Sequence, residues 1–91
     1  MKNVILKKFL TDMNAEQAKH FEMLKEQIMK KDGVIWIGKV IQKIHETGVP
    51  LFCYKIVIYI GGIKAYEEKS ELTTGDVFQI ISNFLEEYEV S

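Results

Sequence analysis

Residues 49–63 read VPLFCYKIVIYIGGI. From Leu51 to Ile60 apolar side chains fill both odd and even positions, and Lys55 is the one charge among them. A strand alternates its side chains between two faces, so a strand built from this run is apolar on both. The chain must therefore cover two sheet faces or leave one for a partner.

The surrounding residues are Val, Ile, Trp and Tyr from position 34 onward, which suits a pleated surface. Strands are predicted over residues 34–46, 51–60 and 63–69. The first two join around Thr47 and Gly48, and the last two through Gly61 and Gly62. Gly-Gly between two such runs signals a two-residue hairpin, because its primed turn needs positive φ. A helix over residues 39–47, stopped by Gly48 and Pro50, is the competing reading of that segment.

Taken literally, the two turns sort the side chains. Ile60 faces Ile63, Ile58 faces Ala65, Val57 faces Tyr66 and Lys55 faces Glu68, while Trp36 lies beside Tyr59 and Ile37 beside Ile58. One face then holds Ile35, Ile37, Ile41, Phe52, Tyr54, Ile56, Ile58 and Ile60 and reads as core. The other holds Trp36, Val40, Ile44, Leu51, Cys53, Val57, Tyr59 and Tyr66. A one-residue slip would exchange these sets.

Helices flank the strands. In residues 3–11, Ile5, Leu6, Phe9 and Leu10 recur at helical spacing. Asn14 and Gln17 form a capping-box pair, and Ala18, Phe21, Leu24 and Ile28 follow as one apolar stripe that Gly33 stops. At the other end Thr73 caps with Asp76 three residues on, ahead of Val77, Phe78, Ile81, Phe84, Leu85 and Tyr88. The predicted fold is a single α+β domain over residues 1–91: N-terminal helices, a three-stranded antiparallel sheet and a C-terminal helix, in the order ααβββα. Helix, three antiparallel strands, helix resembles the order in double-stranded-RNA-binding domains, which read the duplex partly through lysines at the start of the final helix. Here that start is Thr73-Thr74-Gly75-Asp76, without a lysine, so topology alone is shared.

No catalytic or metal spacing is present. His20 and His45 fall on different elements and outside any His-Glu-x-x-His pattern, and the lone Cys53 sits in the apolar run. Gly61-Gly62 and Thr74-Gly75 are too short to cradle phosphate. No enzyme, cofactor or metal is expected. The apolar run is too short for a bilayer span, the N-terminal residues lack a signal-peptide pattern, and one cysteine suits a reducing compartment, so a cytoplasmic protein is expected.

All 12 basic residues are lysines, so no guanidinium fork exists for phosphate or guanine. Residues 1–43 carry a net charge of +4 and residues 44–91 a net −5. The Lys- and Ile-rich, Arg-free composition suits an AT-rich bacterial or phage genome. The reading is a non-catalytic protein-binding module, an inhibitor or regulator, forming a homodimer. Its contact residues are expected among Trp36, Val57, Tyr59 and Tyr66, with acidic Glu67, Glu68, Glu71, Glu86, Glu87 and Glu89 facing a basic partner. The alternative is single-stranded nucleic-acid binding by Trp36, Tyr59 and Tyr66 beside Lys39, Lys43, Lys55 and Lys64.

Overall fold

The computed structural model describes residues 2–90, with side chains through residue 88. The elements in chain order are β1 (Val4–Ile5), α1 (Lys7–Thr11), α2 (Ala15–Met29), β2 (Gly33–Ile44), β3 (Pro50–Ile60), β4 (Ile63–Ser70) and α3 (Thr74–Val90). The α+β class holds, and residues 39–47 are strand and loop, not helix. The sheet, however, is four-stranded and mixed, in the order β1-β2-β3-β4 with β1 parallel to β2, where three antiparallel strands were predicted.

The extra strand comes from the segment read as one helix. Val4 pairs with Trp36 and Ile5 with Ile37, and the Leu6 N–H donates to the Ile37 carbonyl at 3.0 Å. The Asn3 carboxamide oxygen extends the ladder by accepting the Ile35 N–H at 2.8 Å. Β-branched residues beside an open strand edge pair with it in preference to winding, and the helix starts only at Lys7. Helical spacing among Ile5, Leu6 and Phe9 does not distinguish the two outcomes.

Local capping fixes the two longer helices. Asn14 Oδ1 accepts the Gln17 N–H at 2.8 Å while Gln17 Oε1 accepts the Asn14 N–H at 3.0 Å, so the chain breaks between α1 and α2. Thr73 Oγ1 accepts the Asp76 N–H at 3.1 Å, and Asp76 Oδ2 accepts the Thr73 N–H at 2.9 Å. The stop after α2 is Asp32, at φ 58°, and not Gly33, which already belongs to β2.

All three helices contribute to one core on one side of the sheet. Phe9 of α1, Phe21, Leu24 and Ile28 of α2, and Val77, Ile81, Phe84 and Leu85 of α3 pack with Ile35, Ile37, Ile56 and Ile58. Ile35 pairs with Ile58 and Ile37 with Ile56, so these four share a face. Among the described residues no helix lies on the opposite face.

Both hairpins differ in register from the literal turns. The β2–β3 loop is longer, closed by the His45 N–H on the Val49 carbonyl and the Gly48 N–H on the His45 carbonyl, each at 2.8 Å. Trp36 therefore lies opposite Val57, not Tyr59, a two-residue shift that keeps the side chains from Val34 to Ile41 on their expected faces, whereas the register shift between Ile41 and Lys43 sets Ile44 opposite Pro50 and takes it off the face it was expected to share with Leu51. At the Gly61-Gly62 turn, with φ 60° and 81°, Ile60 does pair with Ile63 and Tyr59 with Lys64. A bulge then inserts one residue, so Ile58 meets Tyr66, Val57 meets Glu67 and Ile56 meets Glu68. That slip carries Tyr66 and Glu68 to the helix side and Glu67 to the open face.

Candidate interaction surface

The open face is built from alternate residues of β2, β3 and β4. Val34 pairs with Tyr59, Trp36 with Val57, Gly38 with Lys55 and Val40 with Cys53. The indole of Trp36 lies against Gly38: a Cβ at that glycine would stand 2.5 Å from Trp36 Cη2 and 2.7 Å from Cζ2. Only a residue without a side chain admits the ring there. Beside it Lys55 Nζ and Lys64 Nζ stand 3.1 and 3.0 Å from the same Glu67 Oε2. Hydrogen bonds from Lys64 and Lys55 hold the Glu67 carboxyl below its ordinary range.

These contacts shield a face that no helix covers. Val57 and Cys53 are buried to 3% exposure, and Trp36 and Tyr59 are half-buried. Of the expected contact residues, the structure thus brings Trp36, Val57, Tyr59 and Glu67 together. It does not place Tyr66 or Glu68 with them. The Tyr66 hydroxyl donates to Glu68 Oε1 at 2.8 Å, and its ring lies 6.3 Å from that of Phe84 on the helix side. That bond, with burial, raises the Tyr66 hydroxyl above its ordinary range. Glu71 lies elsewhere again, at a cleft of about 250 Å³ shared with Lys39, Phe52, Cys53 and Tyr54. The expected acidic surface is therefore dispersed, and the Glu89 side chain lies outside the described residues.

The exposed apolar side chains are concentrated somewhere the sequence did not single out. Ile41, Ile44, Val49, Leu51 and Phe52 are 36–61% exposed, and all belong to the far end of the β2–β3 hairpin. β1 stops opposite Ile37 and the last β4 pair is Ser70 with Tyr54, so residues 40–44 and 50–53 pair only with each other. They form a two-stranded arm. Within it Ile41 faces Phe52 and Lys43 faces Leu51, with a register shift between Ile41 and Lys43.

Lysines line the helix side of the arm's base. Lys8 Nζ donates to the Tyr54 hydroxyl at 3.0 Å and sits 4.4 Å from that ring's centroid. Lys39 Nζ sits 4.7 Å from the centroid of Phe52, the next aromatic out along the same side of β3. The Tyr54 hydrogen bond raises the Lys8 ammonium above its ordinary range. Cation–π contacts of this kind hold ammonium groups on aromatic faces.

The remaining candidates sit apart. His20 stacks on Phe78 with centroids 5.3 Å apart, and His45 Nδ1 is 3.1 Å from Thr47 Oγ1 inside the hairpin loop. Among the described residues no group of His, Cys, Asp and Glu could hold a metal ion, and no helix is long and apolar enough to cross a membrane.

A length argument could have located the arm. β2 has 12 residues and α2 has 15. At ~3.3 Å per strand residue and ~1.5 Å per helix residue these span ~40 and ~22 Å, so the helix cannot follow the strand to its end. No family model matches the chain, and no match to a curated protein or to a solved structure was found.

Proposed function

We propose that the chain is a non-catalytic protein-binding module acting by direct contact, an inhibitor or regulator whose contact surface is the hairpin arm together with the adjoining open face. One observation carries the reading: five large apolar side chains, Ile41, Ile44, Val49, Leu51 and Phe52, stand exposed at the end of a ribbon whose strands there pair, among the described residues, only with each other. Exposed apolar side chains gathered at one end of a hairpin mark a contact site. Leu51 lies on the open side, where the half-buried Trp36 and Tyr59 add to the apolar surface, while Ile41 and Phe52 face the helix side. The stacking of single-stranded bases has less support, because Lys55 and Lys64 are already held by Glu67.

Symmetric pairs are the commonest self-assemblies of small proteins, and a homodimer through the open face is the expected form. Light scattering at micromolar protein should then give twice the 10.6 kDa chain mass. Tyr59→Glu should return a monomer that is still folded, with a cooperative thermal transition whose midpoint is lowered by the loss of the dimer. A dimer indifferent to Tyr59→Glu rejects the open face as the self-contact, and a monomeric parent leaves a different protein as the partner. Fluorescence of Trp36 should be unaffected by an oligonucleotide at low salt; quenching would favour the nucleic-acid reading.

A further inference from the structure

The arm has a free backbone edge as well as apolar side chains. Ile35 and Ile37 turn their backbone polar groups toward β1, as the bonds to Asn3 Oδ1 and from the Leu6 N–H show. Outward and inward positions alternate along a strand paired antiparallel on its other side, so Lys39 and Ile41 also turn N–H and C=O away from β3. β1 has ended by then, and the Leu6 carbonyl accepts the Phe9 N–H instead. Residues 38–42 therefore present a short unpaired edge, ended by the irregularity before Lys43.

The two outer edges of the sheet are defended differently. β4 carries both signs, Lys64, Glu67, Glu68 and Lys69, and a bulge near its start, the usual devices against strand addition. Along the β2 edge the charges are of one sign. Lys39 lies on it and Lys43 just past its end, and Lys7 and Lys8 stand at the start of α1, one residue beyond β1. The nearby carboxylates are Asp12, which acts on Lys8, and Glu71 in the cleft beside Lys39. Between the lysines, Val40 and Ile41 offer apolar positions on opposite faces, with Cys53 and Phe52 across from them.

We propose that this edge accepts an extended, acidic and apolar segment of a partner protein as an added strand, hydrogen-bonded to Lys39 and Ile41. The proposal rests on the protein-binding reading above and names its partner. Strand addition takes affinity from main-chain bonds and selectivity from alternate side chains. Carboxylates on the incoming strand would meet Lys39, Lys43, Lys7 and Lys8. A second copy pairing through the same edge would instead bring two sets of these lysines together, which charge repulsion opposes.

The probe is a blocked octapeptide alternating Glu and Val, with its Lys–Val counterpart as control. Titration into the isotope-labelled protein should shift the amide signals of Lys39 and Ile41 and slow their hydrogen exchange. Rising salt should weaken binding, and the Lys–Val peptide should not bind. N-methylating the peptide on one set of alternate residues should weaken binding by about tenfold or more, equivalent to ~1.4 kcal/mol, and methylating the other set should not. Ile41→Pro should have the same effect as the first set while keeping a dispersed amide spectrum, because the lost N–H faces solvent. The N-methyl peptides keep the test valid if that variant unfolds.

Absence of binding, equal binding of both peptides, or indifference to either methylation pattern overturns the proposal. So does a homodimer that Ile41→Pro splits, which would make a second copy the occupant. If the peptide fails while Tyr59→Glu still splits a dimer, strand addition falls and the protein-binding reading stands. If the peptide fails and Tyr59→Glu leaves a dimer intact, strand addition and the open-face dimer both fall.

Discussion

The inner and outer halves of the β2–β3 ribbon are made of the same kinds of residue and meet opposite fates. Ile35, Ile37, Ile56 and Ile58 are at most 1% exposed, while Ile41 is 52% and Phe52 48% exposed on the same side of the same two strands. Side-chain identity does not separate them. What separates them is reach: Phe9, Phe21, Ile28, Val77 and Ile81 lie over the inner half only. An apolar residue is buried when another element arrives over it, and a long strand outruns a shorter helix. The largest expected effect follows from that contrast. Ile58→Ala should cost roughly 2–5 kcal/mol, and Ile41→Ala well under ~1 kcal/mol, in paired denaturant titrations. Similar losses at the two positions would mean that the arm is packed against something, and the comparison would fail.

A second contrast lies between the two faces. The helix side is covered by other elements, whereas the open side is covered by its own side chains, above all the indole over Gly38. Gly38→Ala puts a methyl group where the ring lies, at 2.5 Å from Cη2, so Trp36 must swing outward and uncover Val57 across from it. The expected loss is about 1–3 kcal/mol, with Trp36 emission moved to longer wavelength. Unchanged emission would show that the indole does not depend on the missing Cβ. A red shift accompanied by stronger self-association would tie the indole's position to control of the open face.

Much of this was legible in the sequence because it was locally encoded. The Asn14–Gln17 and Thr73–Asp76 boxes each need only four consecutive residues, and both form with reciprocal hydrogen bonds. The Gly61-Gly62 turn likewise sets the Ile60–Ile63 pair that its two glycines predict. What failed to show depends on distant parts. β1 exists because β2 has an edge to offer, and nothing within Val4 and Ile5 distinguishes a strand from the first turn of a helix. The bulge after Tyr59 moves Tyr66 to the helix side, where Phe84 and Glu68 receive it, and the pattern Ala65-Tyr66-Glu67 carries no glycine to announce it. For the candidate surface, Trp36, Val57 and Tyr59 were placed by alternation alone, which survives a two-residue shift. The arm was missed because alternation reports which side a residue faces and not whether a helix extends that far.

The finest comparison is between neighbours on β4. Glu67 points to the open face and Tyr66 to the helix side, and the environments move their protonation in ways that act at opposite ends of the pH scale. Lys64 and Lys55 lower the Glu67 carboxyl. A carboxyl lowered on folding stabilises the protein above its unfolded value, and that contribution is lost as pH falls through the folded value. Glu68 raises the Tyr66 hydroxyl from its ordinary 10.0, so the neutral phenol is favoured by folding. Its contribution is full below the unfolded value and lost as pH rises through the folded one. Glu67→Gln should therefore narrow the stability difference between neutral and acid solution, and Tyr66→Phe should narrow the loss in alkali. Glu67 is exposed and its ion pairs are screened by salt, so the first effect is the smallest here and should vanish at high ionic strength. Thermal unfolding across pH at two salt concentrations measures both. An acid limb unmoved by Glu67→Gln at low salt would mean that the lysines over the open face do not hold that carboxylate in solution, leaving Lys55 and Lys64 available to a partner after all.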